Sequence, residues 1–167
     1  MHARMMQPLR GAHRDSERCN ESACPMQRPG LAWRPHAVVH HRKLDTWPPL
    51  GAHIELDEDP EQAALREARE ASGLEVELVG ERAPTTGPGR RALIAPRFLD
   101  IHRISDTHEH IGMIYFARVR RGTTTLAAEE HHDIRWCSAD DLDALVPPMS
   151  AAVQWYCRTA LRELEAD

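Results

Sequence analysis

Residues 50–74, LGAHIELDEDPEQAALREAREASGL, decide the fold of this chain. Asp59-Pro60-Glu61-Gln62 indicates a helix start, because Asp59 can cap free backbone amides, proline suits the first helical position and Gln62 can reach back to the cap. Good helix formers then run to Ser72, and Gly73 is a typical left-handed stop. The stretch therefore predicts a helix that begins at Pro60 and ends at Ser72.

One face of this predicted helix is made of small residues. Ala64, Ala68 and Ala71 recur at helical spacing and form a narrow apolar strip. Such a strip allows a helix to approach a sheet closely, so we expect it to face the core.

An adjoining face of the helix is acidic. Glu67 and Glu70 lie three residues apart, and Glu58 precedes the helix. Carboxylate oxygens at this spacing suit a hard divalent cation, which leaves room for water and substrate phosphates. The alternative is a solvated charged helix in which Arg66 and Glu70 form an i,i+4 ion pair.

The spacing of these residues resembles the Nudix box, which reads Gly, five residues, Glu, seven residues, Arg-Glu, an aliphatic, any residue, Glu-Glu, any residue, Gly, an aliphatic. On residues 52–74 the box falls as follows: its opening Gly on Ala52, its first Glu on Glu58, its Arg-Glu on Arg66-Glu67, its Glu pair on Glu70-Ala71, and its closing pair on Gly73-Leu74. Two positions depart from the pattern. Ala52 replaces a Gly whose backbone carbonyl commonly faces the metal in the family, and Ala71 replaces a Glu that is usually a direct ligand.

The resemblance implies an α/β (α+β) fold, a Nudix-like α/β/α sandwich with a mixed sheet between helices. It also implies a site in which Mg²⁺ or Mn²⁺ is bound by Glu67, Glu70, Glu130 and the backbone carbonyl of Ala52. Glu70, Glu67 and Glu130 are then the expected catalytic residues, and Arg66 and Glu58 support them. Glu130 is chosen by its spacing from Trp136, and Glu129 remains an alternative because loop lengths vary in the family.

The function implied by the resemblance is Mg²⁺-dependent hydrolysis of a nucleoside diphosphate linked to another group, that is, a pyrophosphohydrolase. Ala71 makes weak activity the expectation. The alternative is a catalytically impaired, nucleotide-binding protein with the Nudix fold.

Other polar residues could contact the substrate. Arg90 and Arg91 lie in a turn-rich loop and could bind phosphate, or could simply be solvated. His108 and His110 flank a Glu before an apolar strand, and both would lie on the same side of an extended chain. They indicate either substrate contacts or a transition-metal site.

Composition limits the classes of partner. A net charge of −5 argues against binding of a nucleic-acid polymer. The resemblance to the Nudix box implies a small-molecule nucleotide as substrate, and a homodimer is possible. No apolar run has the length of a membrane span, and no signal-peptide core begins the chain, which favours a cytoplasmic location. A chain of 167 residues is long enough for one domain.

The two parts of the chain differ in pattern. Residues 1–34 lack any strand or helix period and predict disorder or an atypical N-terminal segment, while residues 35–167 predict the Nudix-like domain. In that domain the sequence predicts strands over residues 37–42, 75–80, 93–104, 111–120 and 134–137, and helices over 138–145 and 150–165.

Overall fold

The computed structural model describes residues 17–24, 26–27, 36–84 and 87–165, with backbone alone for residues 17–24, 26–27, 52 and 165. The described residues form nine strands and three helices. In chain order they are β1 (Glu17–Cys24), β2 (Met26–Gln27), β3 (His36–His41), β4 (Leu50–His53), α1 (Pro60–Ser72), β5 (Glu75–Val79), β6 (Phe98–Ser105), β7 (His108–Ile114), β8 (Phe116–Arg121), β9 (His131–Cys137), α2 (Ala139–Asp143) and α3 (Ala151–Glu165).

Helix α1 begins and ends where the sequence predicts. The Asp59 side chain accepts hydrogen bonds from the backbone amides of Glu61 and Gln62, and the Gln62 side chain accepts one from the Asp59 amide. Gly73 ends the helix with a φ of 71°. A side chain at that position would also collide with Thr125, so both conformation and space require glycine.

The strands form two mixed sheets. The four-stranded sheet has the order β4-β1-β7-β6, and the five-stranded sheet has the order β5-β8-β2-β3-β9. Strand β1 runs parallel to β7, and β2 runs parallel to β8, whereas the other pairs are antiparallel.

Helices cover the sheets on opposite sides. Ala64, Ala68 and Ala71 of α1 are buried, as their spacing predicts, in a core that includes Leu50 of β4 and Ala117 of β8. Helices α2 and α3 pack on the other side, in two further apolar clusters. The arrangement confirms the predicted α/β/α sandwich with a mixed sheet between helices.

Two sequence predictions need correction. Disorder does not describe residues 17–24 and 26–27, because β1 pairs with both β4 and β7, and β2 pairs with β3 and β8. Residues 1–16, 25 and 28–35 lie outside the described residues, and the domain boundary at residue 35 stays a prediction. The strand predicted over residues 111–120 is in fact two strands, which separate at Tyr115 where the chain passes from the four-stranded to the five-stranded sheet.

None of the helices in the described part of the chain combines the length and apolar character that crossing a membrane requires.

Candidate metal and catalytic site

The structure brings Glu67 of α1 together with Glu130 and with His131, the first residue of β9, which Glu130 directly precedes. The ligand atoms of the three side chains all lie within 4.8 Å of one another. Glu67 and His131 are buried, while Glu130 is exposed. Two carboxylates and an imidazole therefore converge beside the helix, at a point that solvent reaches from the Glu130 side.

The loop that carries Glu130 is fixed by Arg42, which follows β3. The Arg42 amide donates to the Glu130 carbonyl at 2.9 Å, and its Nε donates to the Ala128 carbonyl at 2.7 Å. The amides of Glu130 and His131 both donate to the Ala127 carbonyl at 3.0 Å. These bonds form a tight turn, and the turn presents two consecutive side chains toward Glu67.

Burial and like charge disfavour ionisation of Glu67. Burial, and then the neighbouring Glu130 carboxylate, raise the pKa of Glu67 to about 6, and Arg66 opposes this only in part. The Arg66 Nη1 atom lies 3.6 Å from the Glu67 carboxylate. A cation between Glu67 and Glu130 would remove the repulsion between the two groups.

His131 is suited to ligate such a cation. Burial, and then His41, lower the pKa of His131, so its imidazole is neutral at pH 7. Both of its ring nitrogens are buried and have no hydrogen-bond partner among the described residues. A buried polar atom without a partner is costly. The two carboxylates and the neutral imidazole therefore fit a divalent metal ion.

Arg66 connects the other acidic residues of the box. Its Nε and Nη2 atoms donate to the two carboxylate oxygens of Glu58 at 3.0 and 2.7 Å, and Nη1 donates to Glu70 at 2.9 Å. Nη2 also donates to the backbone carbonyl of His53 at 3.2 Å. The bonds from Arg66 lower the pKa of Glu58, so this carboxylate is ionised. Glu70 is exposed and lies in the ion pair rather than in the group formed by Glu67, Glu130 and His131.

The two departures from the box occupy different environments. Ala52 lies within β4 and pairs with Ser22 of β1, so its backbone is extended and tolerates a methyl group in place of hydrogen. Ala71 is 1% exposed, one helical turn beyond Glu67, in the apolar core beneath α1. The position of the missing carboxylate therefore faces the core beside Glu67.

The remaining predicted site residues lie elsewhere. Arg91 forms an ion pair with Asp59, the cap of α1, and Arg90 is exposed in the same loop, of which residues 85 and 86 lie outside the described part. His108 and His110 form a separate group with His53.

The sequence patterns did not single out His131 or His53. His131 directly follows Glu130 at the start of a strand, and His53 directly follows Ala52 of the box. Adjacency to a predicted ligand was the only local signal for either residue.

Comparisons with known proteins identify the family of the chain. The family model described as the NUDIX domain matches residues 27–156. A crystal structure of a NUDIX-family hydrolase from Clostridium perfringens is 26% identical, with a TM-score of 0.74, and covers 89% of this chain and 99% of that chain.

Two more distant structures share the fold. The Ap4A hydrolase of C. elegans, in a binary complex, is 15% identical with a TM-score of 0.66, over 89% of this chain and 99% of that one. The NUDIX domain of Shewanella oneidensis NrtR, complexed with ADP ribose, is 13% identical with a TM-score of 0.64, over 89% of each chain. None of the curated proteins matches this chain. Since the family model spans well over half of the sequence, the chain belongs to the NUDIX family and is a Nudix-type hydrolase.

Proposed function

We propose that the protein hydrolyses a nucleoside diphosphate linked to another group, with Mg²⁺ or Mn²⁺ as cofactor. The observation that carries this proposal is the convergence of Glu67, Glu130 and His131 within 4.8 Å beside the helix of the box. Related structures include an Ap4A hydrolase and a NUDIX domain complexed with ADP ribose. Ap4A and ADP ribose both contain linked phosphates next to a nucleoside. A cytoplasmic location and a homodimer stay predictions.

Glu67, Glu130 and His131 are the proposed metal ligands. The backbone carbonyl of Ala52 and the carboxylate of Glu70 would complete an oxygen-rich set around the same ion. A divalent cation bound there would neutralise the diphosphate and lower the pKa of an attacking water. Carboxylate oxygens suit Mg²⁺ and Mn²⁺, and the imidazole of His131 favours Mn²⁺ over Mg²⁺.

Other residues position these ligands. Arg66 holds Glu58 and Glu70 by hydrogen bonds. Its bond to the His53 carbonyl holds the start of the box loop, residues 54–59 between β4 and α1, against the helix. Exposed Glu130 is the carboxylate that a substrate or a water can reach. Arg90 and Arg91 lie in the loop that Arg91 ties to Asp59 at the start of α1, and they remain the proposed phosphate contacts. The sequence also predicts His108 and His110 either as substrate contacts or as ligands of a transition metal.

The test is a panel of nucleoside triphosphates, sugar nucleotides, ADP-ribose and dinucleoside polyphosphates, assayed with Mg²⁺, Mn²⁺ or EDTA. We expect metal-dependent release of a nucleoside monophosphate from at least one class. Glu67→Gln should lower it by about 1,000-fold, while Glu77→Gln, at an exposed ion pair with Arg120, should leave it unchanged. Turnover that persists in EDTA, or that proceeds at the wild-type rate in Glu67→Gln, would refute the proposal.

The buried position of Ala71 and the pairing of Glu70 with Arg66 favour a second candidate, a nucleotide-binding protein with little turnover. Under that alternative, calorimetry would detect binding of ADP-ribose or another member of the panel, although no product forms with either metal.

A further inference from the structure

Three histidines meet on one face of the four-stranded sheet. His53 is the last residue of β4, and His108 and His110 lie two positions apart at the start of β7. Strand β1 lies between these strands, and the register places Glu21 opposite His53 and Cys19 opposite His110. Sequence positions 53 and 108–110 are therefore brought together only by the sheet.

This group lies on the opposite face of the sheet from α1. Leu50 of β4 and Met113 of β7 pack in the core beneath α1. Because side chains alternate along a strand, His53 and His110 point the other way, toward the face where Ile114 packs with α3. The histidine cluster is therefore separate from the acidic site at Glu67.

The ring nitrogens of the three histidines converge on one another. The Nε2 atoms of His110 and His108 lie 2.8 Å apart, and those of His110 and His53 lie 3.3 Å apart. An imidazole nitrogen carries either one proton or one lone pair, so Nε2 of His110 cannot form two full hydrogen bonds to other ring nitrogens. A cation bound between them could accept one lone pair from each of the three rings.

The 3.3 Å separation of His110 and His53 matches metal coordination, and the 2.8 Å separation of His110 and His108 would widen by about 0.5 Å on binding. Zn²⁺ binds imidazole nitrogen at about 2.0–2.1 Å in a tetrahedron, which places two ligand nitrogens about 3.3 Å apart. Imidazole suits Zn²⁺, Cu²⁺ and Ni²⁺ rather than Mg²⁺. His110 is 7% exposed, and His53 is exposed, so the group combines a buried anchor with access from solvent.

Polar residues of β6 and α3 lie beside the histidine cluster. The His102 ring packs edge-on against His110 with centroids 5.5 Å apart, and His102 Nδ1 lies 3.0 Å from an oxygen of Asp100. The other oxygen of Asp100 accepts a 2.6 Å hydrogen bond from the Tyr156 hydroxyl of α3. A side chain at Gly112 would come within 2.6 Å of Asp100, so glycine leaves space for this network.

We propose that His53, His108 and His110 bind a divalent transition-metal ion of the Zn²⁺ class, at a site distinct from the acidic centre of the box. Three nitrogen ligands leave a fourth position open to water or to a further ligand. The ion would join β4 to β7 across β1, and it would fix the residue from which the box loop departs. The Arg66 bond to the His53 carbonyl places the end of that strand in contact with the acidic site as well.

The test uses the metal alone on the full-length protein. A Glu67→Gln/Glu130→Gln background removes the acidic site, and Zn²⁺ is titrated into the metal-free protein by calorimetry, with Co²⁺ absorption reporting coordination geometry. We expect one equivalent of Zn²⁺ to bind and to raise the melting temperature, with an intense tetrahedral Co²⁺ spectrum. Adding His53→Gln, His108→Gln or His110→Gln should weaken binding by more than about 100-fold, because even residues behind a ligand contribute about 10–100-fold.

The matched control is His132→Gln, which removes an exposed histidine of β9 outside the cluster. It should bind Zn²⁺ as the background protein does. His53 is exposed, so His53→Gln keeps the fold and decides the outcome if a variant at buried His110 does not fold. Unchanged Zn²⁺ affinity in His53→Gln and His108→Gln, or loss of all Zn²⁺ binding in the Glu67→Gln/Glu130→Gln background, would overturn the proposal. Neither result bears on hydrolysis by the acidic site.

Discussion

Helix α1 buries two glutamates to a similar extent, but the charged groups around them differ. Glu61 is 5% exposed and Glu67 is 7% exposed. Arg82 donates to both carboxylate oxygens of Glu61, at 2.9 and 2.5 Å, and the Ile94 amide donates to one of them. Glu61 is therefore fully paired, and it ties the first turn of the helix to the loop before β6.

Glu67, less than two turns further along, has the opposite surroundings. Its nearest described cation is Arg66 at 3.6 Å, it faces Glu130, and its pKa is raised to about 6. Burial of a carboxylate thus does not by itself indicate a functional site. The informative property is a buried carboxylate that faces another carboxylate, since that arrangement is costly until a cation binds.

The largest expected effect separates the two residues by activity. Glu67→Gln removes a proposed metal ligand, and we expect a loss of about 1,000-fold in kcat, or about 4 kcal/mol, in the Mg²⁺- or Mn²⁺-dependent reaction. Glu61→Gln, the same substitution on the same helix, should retain kcat per folded molecule. Equal losses of kcat in Glu67→Gln and Glu61→Gln would contradict a catalytic role that is specific to Glu67.

The ion pair of Glu61 should matter for stability and not for activity. Arg82→Ala leaves the buried Glu61 carboxylate with only the Ile94 amide, and we expect the free energy of unfolding to fall by about 3 kcal/mol. Arg97→Ala is a matched control, because Arg97 is as exposed as Arg82, at 49%, but pairs with the more exposed Glu163. Arg97→Ala should lower the free energy of unfolding by less than about 1 kcal/mol. Urea unfolding of both variants measures the difference, and equal costs would contradict the structural role of Glu61.

The pH dependence of stability sharpens the same contrast in metal-free protein. The folded pKa of Glu67, about 6, lies above its ordinary value of 4.5, because of burial and the charges of Glu130, Glu70 and Glu58, with Arg66 opposing. The contribution of Glu67 to stability is therefore full below pH 4.5 and is lost as pH rises through 6, a change of about 2 kcal/mol.

Glu67→Gln should accordingly be more stable than wild type at pH 7.5 and equal to it near pH 4, as measured by urea unfolding in EDTA. A difference between the two proteins that does not vary with pH would contradict the raised pKa of Glu67.

The smallest expected effect comes from restoring the carboxylate that the box lacks at position 71. Ala71→Glu adds a carboxylate one turn beyond Glu67, and we expect kcat to rise by about tenfold, or about 1.4 kcal/mol, with saturating metal. The melting temperature in EDTA should fall, because the new charge enters the apolar core. Arg69→Gln, an exposed change of the same charge on the same helix, controls for net charge and should do neither. An unchanged kcat in Ala71→Glu would show that the missing carboxylate does not limit the reaction.

Local signals were sufficient to predict helix α1 and insufficient for β1. Asp59, Gln62 and Gly73 have well-defined effects on a helix terminus, so the ends of α1 could be predicted. The residues of β1, ERCNESAC, have no alternation of apolar and polar side chains, and the strand forms through backbone pairing on both sides. Pairing of that kind depends on distant partners, which a local pattern does not contain.

The candidate site divides in the same way. Spacing along the chain predicted Glu67 and Glu130, which the fold brings together. The pairing of Glu61 was not predicted, because Arg82 and Ile94 lie 21 and 33 residues away. The meeting of His53 with His108 and His110 likewise depends on the order of strands in the sheet.

Arg66 changes how a systematic mutational scan of this chain should be interpreted. Its guanidinium donates hydrogen bonds to Glu58, Glu70 and the His53 carbonyl, and it also lies 3.6 Å from the carboxylate of Glu67 in an ion pair. A scan that scores growth or product alone would rank position 66 among the most sensitive sites and suggest a residue that touches substrate. The sensitivity would instead record the simultaneous loosening of the box loop, the helix and the end of β4.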